Sequence, residues 1–345
     1  MKSLLGKGFL FLIIGGILLQ VVEIFPNYSW GNRMLDTKIE YIEKYGLEPN
    51  CYFIGASNTY RHIDPSLFDR NCKDQEISSF NLASDGCYPT QNYYIVDNLL
   101  KGKEVPKYIF ITINAYDPLP HTRYRSTKAK YFTSFKNYLN EMSYISNLDS
   151  SRVDKRELIE KYTVTLFDKY LKLNMRRDYI EYFTNSSNFG NSVIGLNKDG
   201  FKALPGPTTT SKRLIHNIPK ANKAVEFRWR RLLESTDSNI NSMTKPYNIG
   251  HLIRIQDLIN KGDRLGCQIF FILPPKLFFL EDISEMYNLF KRINPANRIE
   301  MANPDLYPEL YDVALKWDTG HYNASGASEY TKILVSEFNK LLSKQ

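Results

Sequence analysis

Histidine is scarce in this sequence, five residues in 345, and none stands in an H-x-H or H-E-x-x-H spacing. Cysteine is scarcer still, at four, with no C-x-x-C pair. Together these absences exclude a structural zinc module and a zinc protease, and no metal or other cofactor is expected. Glycine (18) and proline (16) are too few for a collagen-like or low-complexity chain. No stretch repeats another at a fixed period, which excludes solenoids and propellers. Zinc-finger, basic-zipper and RNA-binding aromatic signatures are missing too, so no nucleic-acid partner is expected.

What is present is a globular composition, 43% hydrophobic and 24% charged, in a chain long enough for one large domain or two ordinary ones. The net charge of +8 is unevenly placed. Residues 121–250 hold 23 Lys+Arg against 12 Asp+Glu, a balance of +11, which leaves −3 for the rest. A basic middle of this kind suits an anionic glycan or an anionic membrane surface.

Lys2 and Lys7 precede an uncharged apolar run, Gly8–Val22. Counted from Leu4 to Phe25, with Lys7 snorkelling and Glu23 at the far interface, the segment reaches the ~20 residues that a membrane-spanning helix needs. Pro26 ends it, and Tyr28 and Trp30 suit the interfacial aromatic belt. The basic flank keeps the N-terminus in the cytoplasm and exports the remainder. Two readings of residues 1–30 stay open, an uncleaved anchor and a cleaved signal peptide. Export permits disulfides, and Cys51–Cys72 is the first pairing to consider, because both cysteines lie near the starts of expected neighbouring strands.

Beyond residue 31 the pattern alternates. Leu35, Ile39 and Ile42 give a weak helical stripe, and strands are expected over 51–55, 77–82, 107–113 and 267–273. Helices are expected over 89–100, 249–261, 280–293 and 324–342. Strands alternating with helices imply an α/β fold with a parallel sheet covered on both faces. The domain reading is therefore 1–30 as membrane segment and 31–345 as one α/β domain, with a mainly helical basic insertion at 121–250.

Three short segments sit just beyond expected strands, where α/β folds build their sites. They are Gly55-Ala56-Ser57-Asn58, Asn81-Leu82-Ala83-Ser84-Asp85-Gly86, and Asn114. A fourth, Asp318-Thr319-Gly320-His321, precedes the last helix. Acyl transfer needs a serine whose proton is taken by a base, and His321, oriented by Asp318, suits Ser57. It also needs donors for the developing oxyanion, which the backbone N–H groups of Ser57 and Gly86 and the Asn114 amide can supply.

These segments resemble the four blocks of the SGNH/GDSL hydrolase superfamily, over about residues 51–118 and 249–342. The nearest likeness is to its membrane-anchored extracytoplasmic members, such as the D-alanine transfer protein of teichoic acids and the alginate O-acetylation proteins. The resemblance implies a flavodoxin-like three-layer α/β/α sandwich. It also implies catalytic Ser57, Asp318 and His321, and an oxyanion hole of Gly86 and Asn114. The serine block here reads Gly-Ala-Ser instead of Gly-Asp-Ser, and Thr112 and Ala115 replace the glycine and aspartate around Asn114. Pro274-Pro275-Lys276 resembles a Pro-x-Lys segment of the alginate-acetylation relatives and makes Lys276 a candidate substrate-binding residue. The function expected is that of a serine esterase or O-acyltransferase in the cell envelope. Its expected partners are the membrane, an acylated or anionic envelope glycan and an acyl-donating membrane protein. The alternative is a non-catalytic glycan-binding or assembly protein on the same fold.

Overall fold

The computed structural model describes residues 6–8, 10, 11, 13–15, 32–115, 124–148, 152–171, 193–206, 218–235, 247–275 and 280–344. Among these, five parallel strands form one sheet in the order β2-β1-β3-β4-β5. They are β1 (Cys51–Ile54), β2 (Ser79–Asn81), β3 (Tyr108–Thr112), β4 (Gln268–Leu273) and β5 (Arg298–Glu300). The first three connections are helical: α1 (Arg33–Lys44) leads into β1, α2 (Ser57–His62) and α3 (Pro65–Asn71) join β1 to β2, and α4 (Pro89–Leu99) joins β2 to β3. Between β3 and β4 come α5 (Thr127–Phe132), α6 (Phe135–Ser146), α7 (Arg152–Tyr170), α8 (Ile218–Leu233) and α9 (Ile249–Arg264). Helix α10 (Leu280–Lys291) precedes β5, and α11 (Ala324–Leu342) closes the chain.

The central strands are apolar runs buried on both faces, as a covered parallel sheet requires. Register puts Phe53 beside Phe110 and Phe110 beside Phe270, so three rings share one face of β1, β3 and β4. They stack at centroid distances of 5.2 and 5.3 Å. Phe68 of α3 and Phe338 of α11 close over them, which fixes both helices on that face. Helices α4 and α9 form a second group, with α6 against both.

The expected elements are found with small shifts of boundary, and β5 is an addition. The basic middle is mainly helical where described, with turns and coil over 195–206, yet it is not a separate body. Val225, Trp229 and Leu232 of α8 and Phe132 of α5 belong to the main core. All four cysteines are free and buried, so the Cys51–Cys72 pairing is not formed. Cys51 does open β1, but Cys72 caps the C-terminus of α3 instead of opening a strand. No helix among the described residues is long and apolar enough to cross a membrane. The expected span falls largely outside the described residues.

Candidate active site

Ser57 is the first residue of α2, immediately beyond the β1 edge, and its backbone stays extended up to Ala56. Its Oγ lies 3.0 Å from His321 Nε2. His321 Nδ1 lies 3.0 Å from each carboxylate oxygen of Asp318. The three side chains therefore form one hydrogen-bonded chain, assembled from the two ends of the sequence. This is the reach a serine nucleophile, its base and the base's orienting carboxylate require. The bond to Asp318 makes Nδ1 the protonated nitrogen and leaves Nε2 as acceptor for the serine proton.

The Asp318–His321 segment is a tight turn. Asp318 Oδ1 accepts the backbone N–H groups of Gly320 and His321 at 2.6 and 2.8 Å, and the Trp317 N–H donates to the His321 carbonyl at 2.9 Å. Partial burial pushes the Asp318 carboxyl up. The hydrogen bonds from His321 and the turn outweigh that and hold it below the usual carboxylate range. Asp318 is thus a fixed negative charge against the imidazole.

Beneath His321 lies a second histidine that the sequence did not single out. His62 is buried, and its Nε2 accepts the Tyr322 backbone N–H at 3.1 Å. Burial, and then the neighbouring His321, Lys316 and Arg61, drive its proton affinity far down, so the ring is neutral and accepts. Lys316, also buried, donates to the Leu310 carbonyl and lies 3.7 Å above the Tyr322 ring centroid. Both residues brace the strand-like turn that presents His321.

The β1–α2 turn is closely packed. A Cβ on Gly55 would meet Thr59 Oγ1 at 1.9 Å. That hydroxyl donates to Thr112 Oγ1 at 2.8 Å, so Thr112 ties α2 to β3. Asn81 fixes the other end of α2: its Nδ2 donates to the Thr59 and Ile63 carbonyls, and its Oδ1 accepts the Ala83 N–H.

The segment 82–86 runs beside this turn. The Ser84 N–H donates to the Gly55 carbonyl at 3.1 Å, and Tyr60 Oη donates to Asp85 at 2.8 Å. Gly86 is exposed with φ +53°, a left-handed conformation that favours glycine. Under the segment lies Lys38 of α1, fully buried, donating to the carbonyls of Asn81 and Ala83 at 2.8 Å each. Burial pushes its amine down to about 7, against smaller opposing effects of Asp199, Cys87 and Asp85. Asn32, at the N-cap of α1, accepts the Ser84 hydroxyl at 2.7 Å. Helix α1 thus carries the floor of the 82–86 segment. A lysine on a mostly polar helix reads as a solvent-facing residue in the sequence, which is why Lys38 was missed.

Asn114 is half-buried just past β3, the strand beside β1, at the same edge of the sheet as Ser57. Lys276 lies outside the described residues, as do Arg123, Arg176 and Arg177 of the basic middle. Arg125 is paired with Asp168 at 3.2 Å, and Lys130 is buried. Lys128 of α5 lies beside Gly86. Among the described residues no group of three or more His, Cys, Asp or Glu side chains is arranged to hold a metal. No family model matches this chain, and no curated protein matches it.

Proposed function

We propose that the protein is a serine ester hydrolase or O-acyltransferase of the SGNH type, built on a flavodoxin-like α/β/α sandwich and working on a cell-envelope glycan. The observation that carries this reading is the unbroken chain from Ser57 Oγ through His321 to Asp318. The strand order 2-1-3-4-5, with Ser57 at the edge of β1, supports the doubly wound architecture.

In this reading Ser57 Oγ attacks the ester carbonyl as its proton passes to His321 Nε2. Asp318 stabilises the imidazolium. The carbonyl oxygen becomes an oxyanion, held by the Ser57 and Gly86 N–H groups and the Asn114 amide, each donor contributing about 3–4 kcal/mol in comparable sites. Collapse breaks the C–O bond, and His321 returns the proton to the leaving alcohol. Water or a sugar hydroxyl then attacks the acyl-enzyme by the same route in reverse, which makes the protein a hydrolase or a transferase respectively. In a transferase, a membrane protein that donates acyl groups supplies the first ester. Residues 1–30 would tether the domain outside the cytoplasm, and Lys276 would meet an anionic part of the glycan.

A fluorophosphonate probe on the full-length protein tests the reading. Labelling at Ser57 that vanishes in Ser57→Ala and falls in His321→Ala is the expected result. A protein that folds but takes no label would instead be a non-catalytic glycan-binding or assembly module.

A further inference from the structure

Next to Gly86 the surface opens into a pocket of about 350 Å³, lined by Asp85, Gly86, Tyr88, Gln91, Ser126 and Lys128. That volume falls at the lower end of small-molecule sites, roughly 300–1,000 Å³. The pocket is bound to the site described above, because Asp85 and Ser84 are hydrogen-bonded to the turn and helix that carry Ser57. Its far wall comes from the basic insertion: Ser126 is the N-cap of α5, and Lys128 lies on that helix.

The lining has donors and acceptors to spare. Lys128 Nζ sits 3.9 Å from where a Cβ of Gly86 would be, and no carboxylate among the described residues pairs with it. Asp85 Oδ1 takes the Tyr60 hydroxyl, which leaves the second oxygen to accept. Gln91 spends its Oε1 on the Tyr88 N–H, so its amide nitrogen is left to donate. Ser126 Oγ accepts from the Ala129 N–H and keeps its own proton to give. One ammonium and one carboxylate balance, so neither a bare anion nor a bare cation is favoured. What suits alternating donors and acceptors beside a tyrosine ring is a neutral ring bearing several hydroxyls.

We propose that this pocket is the subsite for one neutral sugar residue, the one whose ester is presented to Ser57. The inference rests on the acyl-transfer reading and narrows its substrate. Lys128 and Asp85 would grip neighbouring hydroxyls, and the Gly86 backbone would face both the sugar and the reacting carbonyl.

The test compares two esters on the full-length protein, 4-nitrophenyl acetate and a mono-O-acetylated methyl glucoside. Removing the Lys128 ammonium forfeits a hydrogen bond from a charged group, so in Lys128→Met the ratio of kcat/KM for the sugar ester to that for the nitrophenyl ester should fall about tenfold or more. Lys128→Arg should restore part of it. In the Ser57→Ala background, binding of the sugar ester measured by calorimetry should weaken by a similar factor when Lys128→Met is added. An unchanged ratio together with unchanged binding overturns the subsite. Tenfold tighter binding of an acetylated methyl glucuronoside overturns the neutral-ring assignment. If the wild type turns over neither ester, the acyl-transfer reading fails, and the binding comparison alone decides the pocket.

Discussion

Replacing Lys38 by methionine should destabilise the protein by an amount that grows with pH. Methionine fills a similar volume without the amine, so packing is nearly kept. The carbonyls of Asn81 and Ala83 lose their donor, at about 1–3 kcal/mol for each buried group left unpaired. Against this, the wild type carries the cost of burying an amine. With the folded pKa near 7 and the ordinary value at 10.5, the unfolded chain binds the extra proton between those two points. Wild-type stability from this group is therefore lowest below pH 7 and rises through the window, by up to about 5 kcal/mol once both states are neutral. The variant lacks that rise. Buried tyrosines and cysteines pull stability the other way at alkaline pH, but they are common to both proteins and cancel in the difference. Urea denaturation of both, at intervals from pH 7 to pH 10, gives the difference directly. It should widen by several kcal/mol across the series. A difference that stays constant to within about 1 kcal/mol would show that Lys38 is charged in the fold and would refute the reasoning. With Gly86 as an oxyanion donor, as proposed, the variant should also turn over esters more slowly, up to the ~10²-fold that losing one such donor costs, because Ala83 lies three residues before Gly86.

Two further variants probe the site's construction. Asp318→Asn keeps the shape of the turn but removes the charge beside His321, and kcat should fall roughly 10³–10⁴-fold, as in comparable triads; a loss of less than tenfold in steady-state assays would mean that Asp318 does not orient the base. Gly55→Ala would push a methyl into Thr59 Oγ1 and break its bond to Thr112, lowering stability by about 1–3 kcal/mol. Calorimetry should show a depressed Tm that Thr59→Ala partly restores in the double variant, and an unshifted Tm would contradict the close approach.

The strands were legible because a covered parallel sheet needs continuous apolar runs, and CYFI, YIFIT and QIFFIL are such runs. Strand β5 was not, since its three residues, RIE, bury only Ile299 fully. Ser57, Asp318 and His321 could be picked out together as candidates because acyl-transfer chemistry restricts residue types, and the structure hydrogen-bonds the three to one another. The supports could not. Lys38, His62 and Lys316 are polar residues whose burial follows from tertiary packing, and nothing in their neighbours' spacing signals it. Cys72 misled for the opposite reason, as a helix cap and a strand start both fall at the edge of an apolar stretch.

The hydrogen bond between Ser57 and His321 joins residues 264 positions apart. A chain made from its N-terminus has Ser57 outside the ribosome long before His321 exists. Loops that large close late in folding, after local helices and neighbouring strands have formed. In the proposed mechanism the serine therefore lacks its base throughout synthesis. On that mechanism reactivity would begin only once α11 has docked against α3 and the turn before it lies with His321 beside Ser57. Removing α11 would take away the helix that follows His321 and packs on α3, and with it the support of the Ser57–His321 contact.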